Sequence, residues 1–165
     1  MNYGEVSSGD TLDADLEQLV PLLQAATGHY QKLVLIYGNT WQAKTTLLKS
    51  VACLREMAYV SLGATLSLEL LQASVRDRPF KAQDLVKQAI LCETTHGIAL
   101  DHIEILFNPE LKLDPLWLLQ LLSRDQLILT AWPGEHNLGR WLYATPSHAE
   151  YYTSEKSNIL FYSIE

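Results

Sequence analysis

Cysteine is scarce in this 165-residue chain. Cys53 and Cys92 stand far apart, in no CxxC pair, each inside an apolar-periodic stretch. That excludes a disulfide framework and points to a reduced, cytoplasmic setting. Long apolar runs are missing: none approaches the roughly 18 residues of a membrane span. The start, Met-Asn-Tyr-Gly-Glu, lacks the basic-then-apolar pattern of a secretory signal. Positive charge is in deficit, with twelve Lys and Arg against nineteen Asp and Glu, a net charge of −7 and a pI near 5.2. A strongly basic nucleic-acid binder is therefore not expected, and DNA contact is left to a local patch or an indirect route. The histidines His29, His96, His102, His136 and His148 include no pair at metal-ligand spacing, so a metal site built from side chains alone is not expected. No GxSxG elbow occurs.

What remains is a globular composition, 48% apolar and 19% charged, at the length of one domain. The acidity is uneven. Residues 1–31 carry Glu5, Asp10, Asp13, Asp15 and Glu17 with no Lys or Arg. Residues 1–12 read as a flexible acidic lead and 13–165 as the folded domain. Leu16, Leu19, Val20 and Leu23 fall at helical spacing, interrupted by Pro21 and ended by Gly28. A kink, or a restart at Pro21, is expected.

Five short apolar runs read as buried strands: 33–37, 58–62, 98–102, 127–131 and 158–164. Helical patterns lie between them, at 44–57, 65–74, 79–93 and from Asp114-Pro115 to about Arg124, where a cap precedes proline at the first helical position. Alternation of this kind predicts an α/β domain with a mostly parallel five-stranded sheet flanked by helices and no helical lid. Residues 140–145 read as a short extra strand, and 146–152 as a turn or short helix whose aromatics form a partner surface or cover the sheet edge.

The segment Leu33-Val-Leu-Ile-Tyr-Gly38-Asn39-Thr40-Trp41-Gln42-Ala43-Lys44-Thr45-Thr46 carries the most chemistry. It is a strand, a glycine turn and a helix with the spacing GxxxxGK[ST], departing only at Ala43. Such a loop wraps its backbone N–H groups around a phosphate while the following helix points its N-terminus at the same anion. On that reading Gly38 to Thr46 bind the phosphates of ATP. Lys44 reaches the terminal phosphates and the Thr45 hydroxyl ligates Mg²⁺. A helix leaving the turn at Lys44 is expected. If position 43 needs a positive φ, its Cβ costs about 1–2 kcal/mol. Trp41 could shield the phosphates, stack on a base or face a partner. The plain alternative is an ordinary strand–turn–helix with a surface Lys and Thr.

Such a site needs an acid at the end of a neighbouring strand. Asp101 ends the run Gly97-Ile-Ala-Leu100 and is placed to hold the water shell of Mg²⁺. Alone it would read as a strand-terminal cap. Catalytic candidates follow it. His102 stands where a water-orienting glutamate would stand, as a weak base or as a plain edge residue. Glu104 lies further along, with its reach in question. Thr130, near the end of the fourth strand, occupies the place of a γ-phosphate sensor, or is a structural strand threonine. Arg124 is either a finger for a neighbour's phosphate or a helix-end charge. Arg76, Arg78 and Lys81 form a small basic cluster or a solvated helix start.

Taken together, the residues resemble a family, the small P-loop proteins called BrxF from BREX type 3 bacteriophage-defence clusters. The likeness is carried by the 33–46 segment, by Leu100-Asp-His-Ile-Glu-Ile-Leu-Phe-Asn-Pro-Glu-Leu-Lys-Leu-Asp-Pro115, and by Leu118-Leu-Gln-Leu-Leu-Ser-Arg124. Ala131-Trp-Pro-Gly134, Tyr143-Ala-Thr-Pro-Ser-His148 and Glu150-Tyr151 complete it. It covers most of the chain, with departures at Ala43 and His102. The resemblance implies a cytoplasmic component of a multi-protein antiviral system that also contains a DNA methyltransferase and larger ATPases. Its partners would be other BREX proteins or a second copy of itself. Three functions stay open: a slow or partner-activated ATPase switch, a non-hydrolysing adaptor with a degenerate nucleotide site, and, less well served by the sequence, a small-molecule kinase.

Overall fold

The computed structural model of the chain describes residues 8–38, 40–91, 96–156 and 158–165. The order of elements is α1 (Ser8–Ala26), β1 (Leu33–Gly38), α2 (Trp41–Leu54), β2 (Ala58–Ser61), α3 (Leu62–Gln72), α4 (Arg78–Leu91) and β3 (Ile98–Asp101). Two short 3₁₀ turns follow, Ile103–Phe107 and Pro109–Leu111, then α5 (Pro115–Leu122) and β4 (Ile128–Ala131). The chain continues through β5 (Glu135–Asn137), β6 (Arg140–Tyr143), β7 (Tyr152–Ser154) and β8 (Leu160–Ile164).

The five apolar runs form one sheet in the order β2-β3-β4-β1-β8. Every pairing in it is parallel, with Leu35 opposite Thr130 on one side and Phe161 on the other. Parallel strands need crossover connections, and these put helices on both faces. The alternation of side chains along β1 divides the core accordingly. Leu33 and Leu35 join Ile98, Leu100 and Ile128 under α3, α4 and α5. Val34 and Ile36 join Ala99, Leu129 and Ala131 under α1 and α2. Each of these side chains is fully or almost fully buried.

Local chemistry sets the start of α5 most clearly. Asp114 caps α5 by accepting from the Trp117 N–H at 3.0 Å, with Pro115 at the first helical position. Helix α1 is continuous through Pro21, with no restart there, and begins at Ser8 rather than near Asp13. Residues 1–7 of the acidic lead lie outside the described residues. Helix α3 starts directly after β2, earlier than the apolar spacing suggests. Cys53 is a free, exposed thiol; Cys92 lies outside the described residues. Among the described residues no helix is long and apolar enough to cross a membrane.

A second sheet was not foreseen beyond its middle strand. β5, β6 and β7 form an antiparallel sheet in that order. Leu138 (φ 48°) and Gly139 (φ 77°) join β5 to β6. Both are left-handed, as a two-residue type I′ hairpin requires. The sheet is fastened to the core by aromatic packing. The His136 ring stacks on Trp141 at 4.2 Å, and Tyr37 of β1 and Phe161 of β8 close around the pair. Trp132, fully buried after β4, donates its indole N–H to the Leu142 carbonyl at 2.9 Å. Gly134 is required just beyond it, since a Cβ there would stand 1.8 Å from the Leu142 oxygen.

Candidate phosphate-binding site

The strand order sets where a ligand can sit. From β1 the chain crosses to β2 at the far edge, returns through β3 to β4, then passes β1 to reach β8. The connections diverge between β1 and β4, and open α/β sheets bind ligands at the carboxyl ends of strands beside such a point. The motif residues lie there. A cleft of about 90 Å³ is lined by Trp41, Lys44, Thr45, Asp101, His102, Glu104, Ala131, Trp132 and Pro133.

Inside it, the loop motif and the strand-end acid meet. The Thr45 hydroxyl donates to Asp101 Oδ2 at 2.6 Å. Tyr59 of β2 donates its hydroxyl to the same oxygen at 2.8 Å, and the His102 N–H donates to Oδ1 at 2.9 Å. Three donors therefore fix a buried carboxylate. Burial, then the hydrogen bond and the charge of Asp101, push the Tyr59 hydroxyl up to about 12. Lys44 is almost completely buried and donates its ammonium to the Trp132 carbonyl at 2.8 Å. Burial lowers its pKa, against the opposing pull of the Glu104 and Asp101 carboxylates.

His102 and Glu104 explain each other. β3 ends at Asp101, and His102 adopts a left-handed conformation, φ 52° and ψ 51°. Such a conformation costs about 1–3 kcal/mol in a non-glycine residue and is held where surroundings over-determine it. Here the His102 carbonyl accepts from the Gly63 N–H at 3.1 Å, and its ring Nδ1 lies 3.4 Å from Ser61 Oγ and 3.5 Å from Asp101 Oδ2. The reversal starts the 3₁₀ turn that carries Glu104 back to the cleft. The reach in question from the sequence is thereby supplied by one backbone kink.

The loop itself differs from expectation. Helix α2 begins at Trp41, not at Lys44. Ala43 is therefore helical, and it is not among the described residues with positive φ. The conformational penalty expected at that position does not arise. The physical reason is propensity: with alanine in place of glycine, nothing stops Trp41-Gln42-Ala43 from adding a turn to the helix. That turn is lightly held. Thr40 at its cap makes no side-chain capping bond, and the Lys44 N–H reaches the Thr40 carbonyl at a long 3.3 Å. The first N–H groups of α2 are thus unpaired within the helix and face outward with its positive dipole end.

No family model, curated protein or solved structure matches the chain. The site therefore rests on its own geometry. Of the residues read from sequence, Trp41, Lys44, Thr45, Asp101, His102 and Glu104 come together around the cleft. Gly38 lies beside it, with a Cβ there only 2.3 Å from the Ile164 carbonyl. Thr40 caps α2, Gln42 and Thr46 are exposed on its first turns, and Asn39 lies outside the described residues. Thr130 is fully buried on β4, its hydroxyl has no partner among the described residues, and it does not line the cleft. Arg124 sits at the other end of the sheet, before β4, over the Tyr30 ring at 5.0 Å, so it can serve only a neighbouring molecule. Arg78 is engaged by Glu110 and by the Leu70 carbonyl, not by an open phosphate patch. Tyr59 was missed: a tyrosine in a short strand gives no sign of the acid beside it.

Among the described residues no three His, Cys, Asp or Glu converge on a metal position. Mg²⁺ does not need three, because it keeps several waters and is held by one or two protein oxygens plus phosphate. The adjacent Thr45 hydroxyl and Asp101 carboxylate supply that pair. Phosphate would be met by the Lys44 ammonium and by the first N–H groups of α2. Both Lys44 and Thr45 are occupied internally, so a ligand must displace two existing hydrogen bonds. Net affinity is then a difference between similar terms.

Proposed function

We propose that the chain is a P-loop-type domain that binds Mg·ATP and acts as a slow or partner-activated ATPase switch. The observation that carries this reading is the 2.6 Å bond between Thr45 and Asp101, residues 56 apart in sequence. A motif threonine and a strand-end carboxylate meet as they would around a shared Mg²⁺. Lys44 lies in the same cleft.

Chemistry there would be electrostatic. Mg²⁺, when bound, neutralises charge developing on the phosphates. Lys44 would bind the terminal phosphate, and Asp101, held by Tyr59, would orient the metal's water shell. Glu104, which lines the cleft, would orient an attacking water, with His102 as the weaker candidate. Among the described residues no arginine lines the cleft to complete the charge stabilisation, so a partner or a second copy would have to supply it. Such a contribution is worth about 10³–10⁵ in rate.

The resemblance to BrxF suggests where the switch would work: in the cytoplasm, among other proteins of a BREX defence system. A second reading, the non-hydrolysing adaptor, is favoured by the small cleft and by the helical turn that closes the loop. Phosphate release decides between them. The chain would be assayed alone, with duplex DNA, and with proteins of the same system, using Asp101→Ala as the control for contaminating ATPase. The switch reading expects turnover well below about 1 s⁻¹ for the chain alone, and a rise with a partner. No release under any condition, with binding intact, would leave the adaptor. Brisk release by the isolated chain, abolished in Asp101→Ala, would overturn both.

A further inference from the structure

The cleft that meets the phosphates is too small for a nucleotide. Its volume of about 90 Å³ falls well below the roughly 300–1,000 Å³ of small-molecule sites. Beside it, sharing Pro133, lies a groove of about 650 Å³ between the Trp132–Gly134 turn and β6. We propose that this groove, bordered by Gly38, Gly134, Glu135, Tyr143 and Tyr151, holds the nucleoside part of the ligand. The assignment rests on the phosphate reading of the cleft and extends it.

Three observations carry it. The first is direction. Asp101, Thr45 and Glu104 mark the metal and terminal-phosphate end of the cleft, on the β3 side. Gly38 ends β1 on the other side, with β8 beyond it. A phosphate chain running from Asp101 across the N-terminal end of α2 leaves over Gly38 and Pro133, at the mouth of the groove. The second is charge. Among the described residues no Lys or Arg lines the groove, and the acidic residue Glu135 does. That lining repels phosphate but accepts hydrogen bonds from ribose hydroxyls or an exocyclic amine. The third is a free aromatic face. Tyr143 packs on Phe107 at 4.1 Å, and its hydroxyl faces Glu150. Tyr151 has no ring partner among the described residues and is 39% exposed, while its N–H is held by the His148 carbonyl at 3.1 Å. A ring on a fixed backbone at the edge of a groove is a stacking platform, and each base stacked on an aromatic side chain gains a substantial share of binding energy.

The test compares Mg·ATP with Mg·tripolyphosphate, which has the phosphates without the nucleoside, by calorimetry on the full chain. The variants are Tyr151→Ala, Tyr151→Phe and Glu135→Gln. The expected result is that Tyr151→Ala weakens ATP by about 5- to 100-fold and leaves tripolyphosphate within twofold. Tyr151→Phe should bind like the wild type, and Glu135→Gln should weaken ATP alone. If Tyr151→Ala and Glu135→Gln bind ATP as the wild type does, the groove assignment falls while the phosphate reading stands. It falls as well if Tyr151→Ala loses ATP and tripolyphosphate equally, because the effect is then structural. If the wild type binds neither ligand, the phosphate reading fails and takes the groove with it.

Discussion

Replacing Ala43 by glycine separates two accounts of the loop by the sign of one number. If alanine were strained at this position, Ala43→Gly would stabilise the ligand-free protein. The structure makes Ala43 the third residue of α2, half-buried and helical. Glycine in place of alanine in a helix costs about 0.8–1.0 kcal/mol. For a chain of this size a loss of about 1 kcal/mol lowers Tm by about 2–4 °C. Binding should move the other way. If a triphosphate enters the cleft of about 90 Å³ only once Trp41-Gln42-Ala43 unwinds to wrap it, glycine assists that change. Glycine weakens only the closed, helical form, so the same 1 kcal/mol reappears as roughly fivefold tighter Mg·ATP binding. Thermal melting without nucleotide and calorimetric titration measure the two halves independently. A Gly variant that melts at or above the wild type would refute the helical assignment of Ala43. A variant that melts lower but gains no affinity would show that the helical turn receives the anion as it stands.

Two other substitutions, one of them read in two ways, test separate parts of the account. Gly134→Ala places a Cβ against the Leu142 carbonyl, and the loss in urea unfolding should reach the upper end of the about 1–3 kcal/mol seen for overpacked sites. Tyr59→Phe removes one of three donors to Asp101 and should raise the Mg²⁺ concentration needed for half-maximal ATP binding; an unchanged Mg²⁺ dependence would show that Thr45 and the His102 N–H suffice. The Tyr59 hydroxyl is held near 12 in the folded chain and about 10 when unfolded, so its contribution is fully present below pH 10 and is lost as pH rises through 12. The stability difference between wild type and Tyr59→Phe should therefore be flat up to about pH 10 and shrink above it, and a difference that grows with pH would reverse the assignment.

The five core strands were legible because each is a short apolar run: the inner strands β3 and β4, and most of β1, are buried on both faces, while the edge strands β2 and β8 are only partly covered. The strand–turn–helix at Gly38, Lys44 and Thr45 was legible from spacing alone. The extent of α2 was not: the motif draws attention to what Gly would do at position 43 and hides what Ala does, which is to prolong a helix. The outer strands of the small sheet are three residues each, Glu135–Asn137 and Tyr152–Ser154, too short to show a period. Their hairpin turns on Leu138-Gly139 rather than the Asn-Gly or Asp-Gly that marks such turns. The groove built by that sheet was invisible for the same reason. Glu104 could be placed only once His102 was known to be left-handed, a conformation with no sequence signal in histidine. Tyr59 reaches Asp101 because β2 pairs with β3, with Ser61 opposite Asp101, and pairing order is a property of topology.

The most direct measurement is a calorimetric titration of the wild type and Lys44→Ala with Mg·ATP, after circular dichroism shows that both are folded. Lys44 is the cation buried in the cleft, and loss of its charge-assisted contact to phosphate should remove about 1.5–3 kcal/mol. The account predicts measurable binding by the wild type and an affinity about 10- to 150-fold lower for Lys44→Ala. Equal affinities, or no binding by the wild type at millimolar nucleotide, would contradict it.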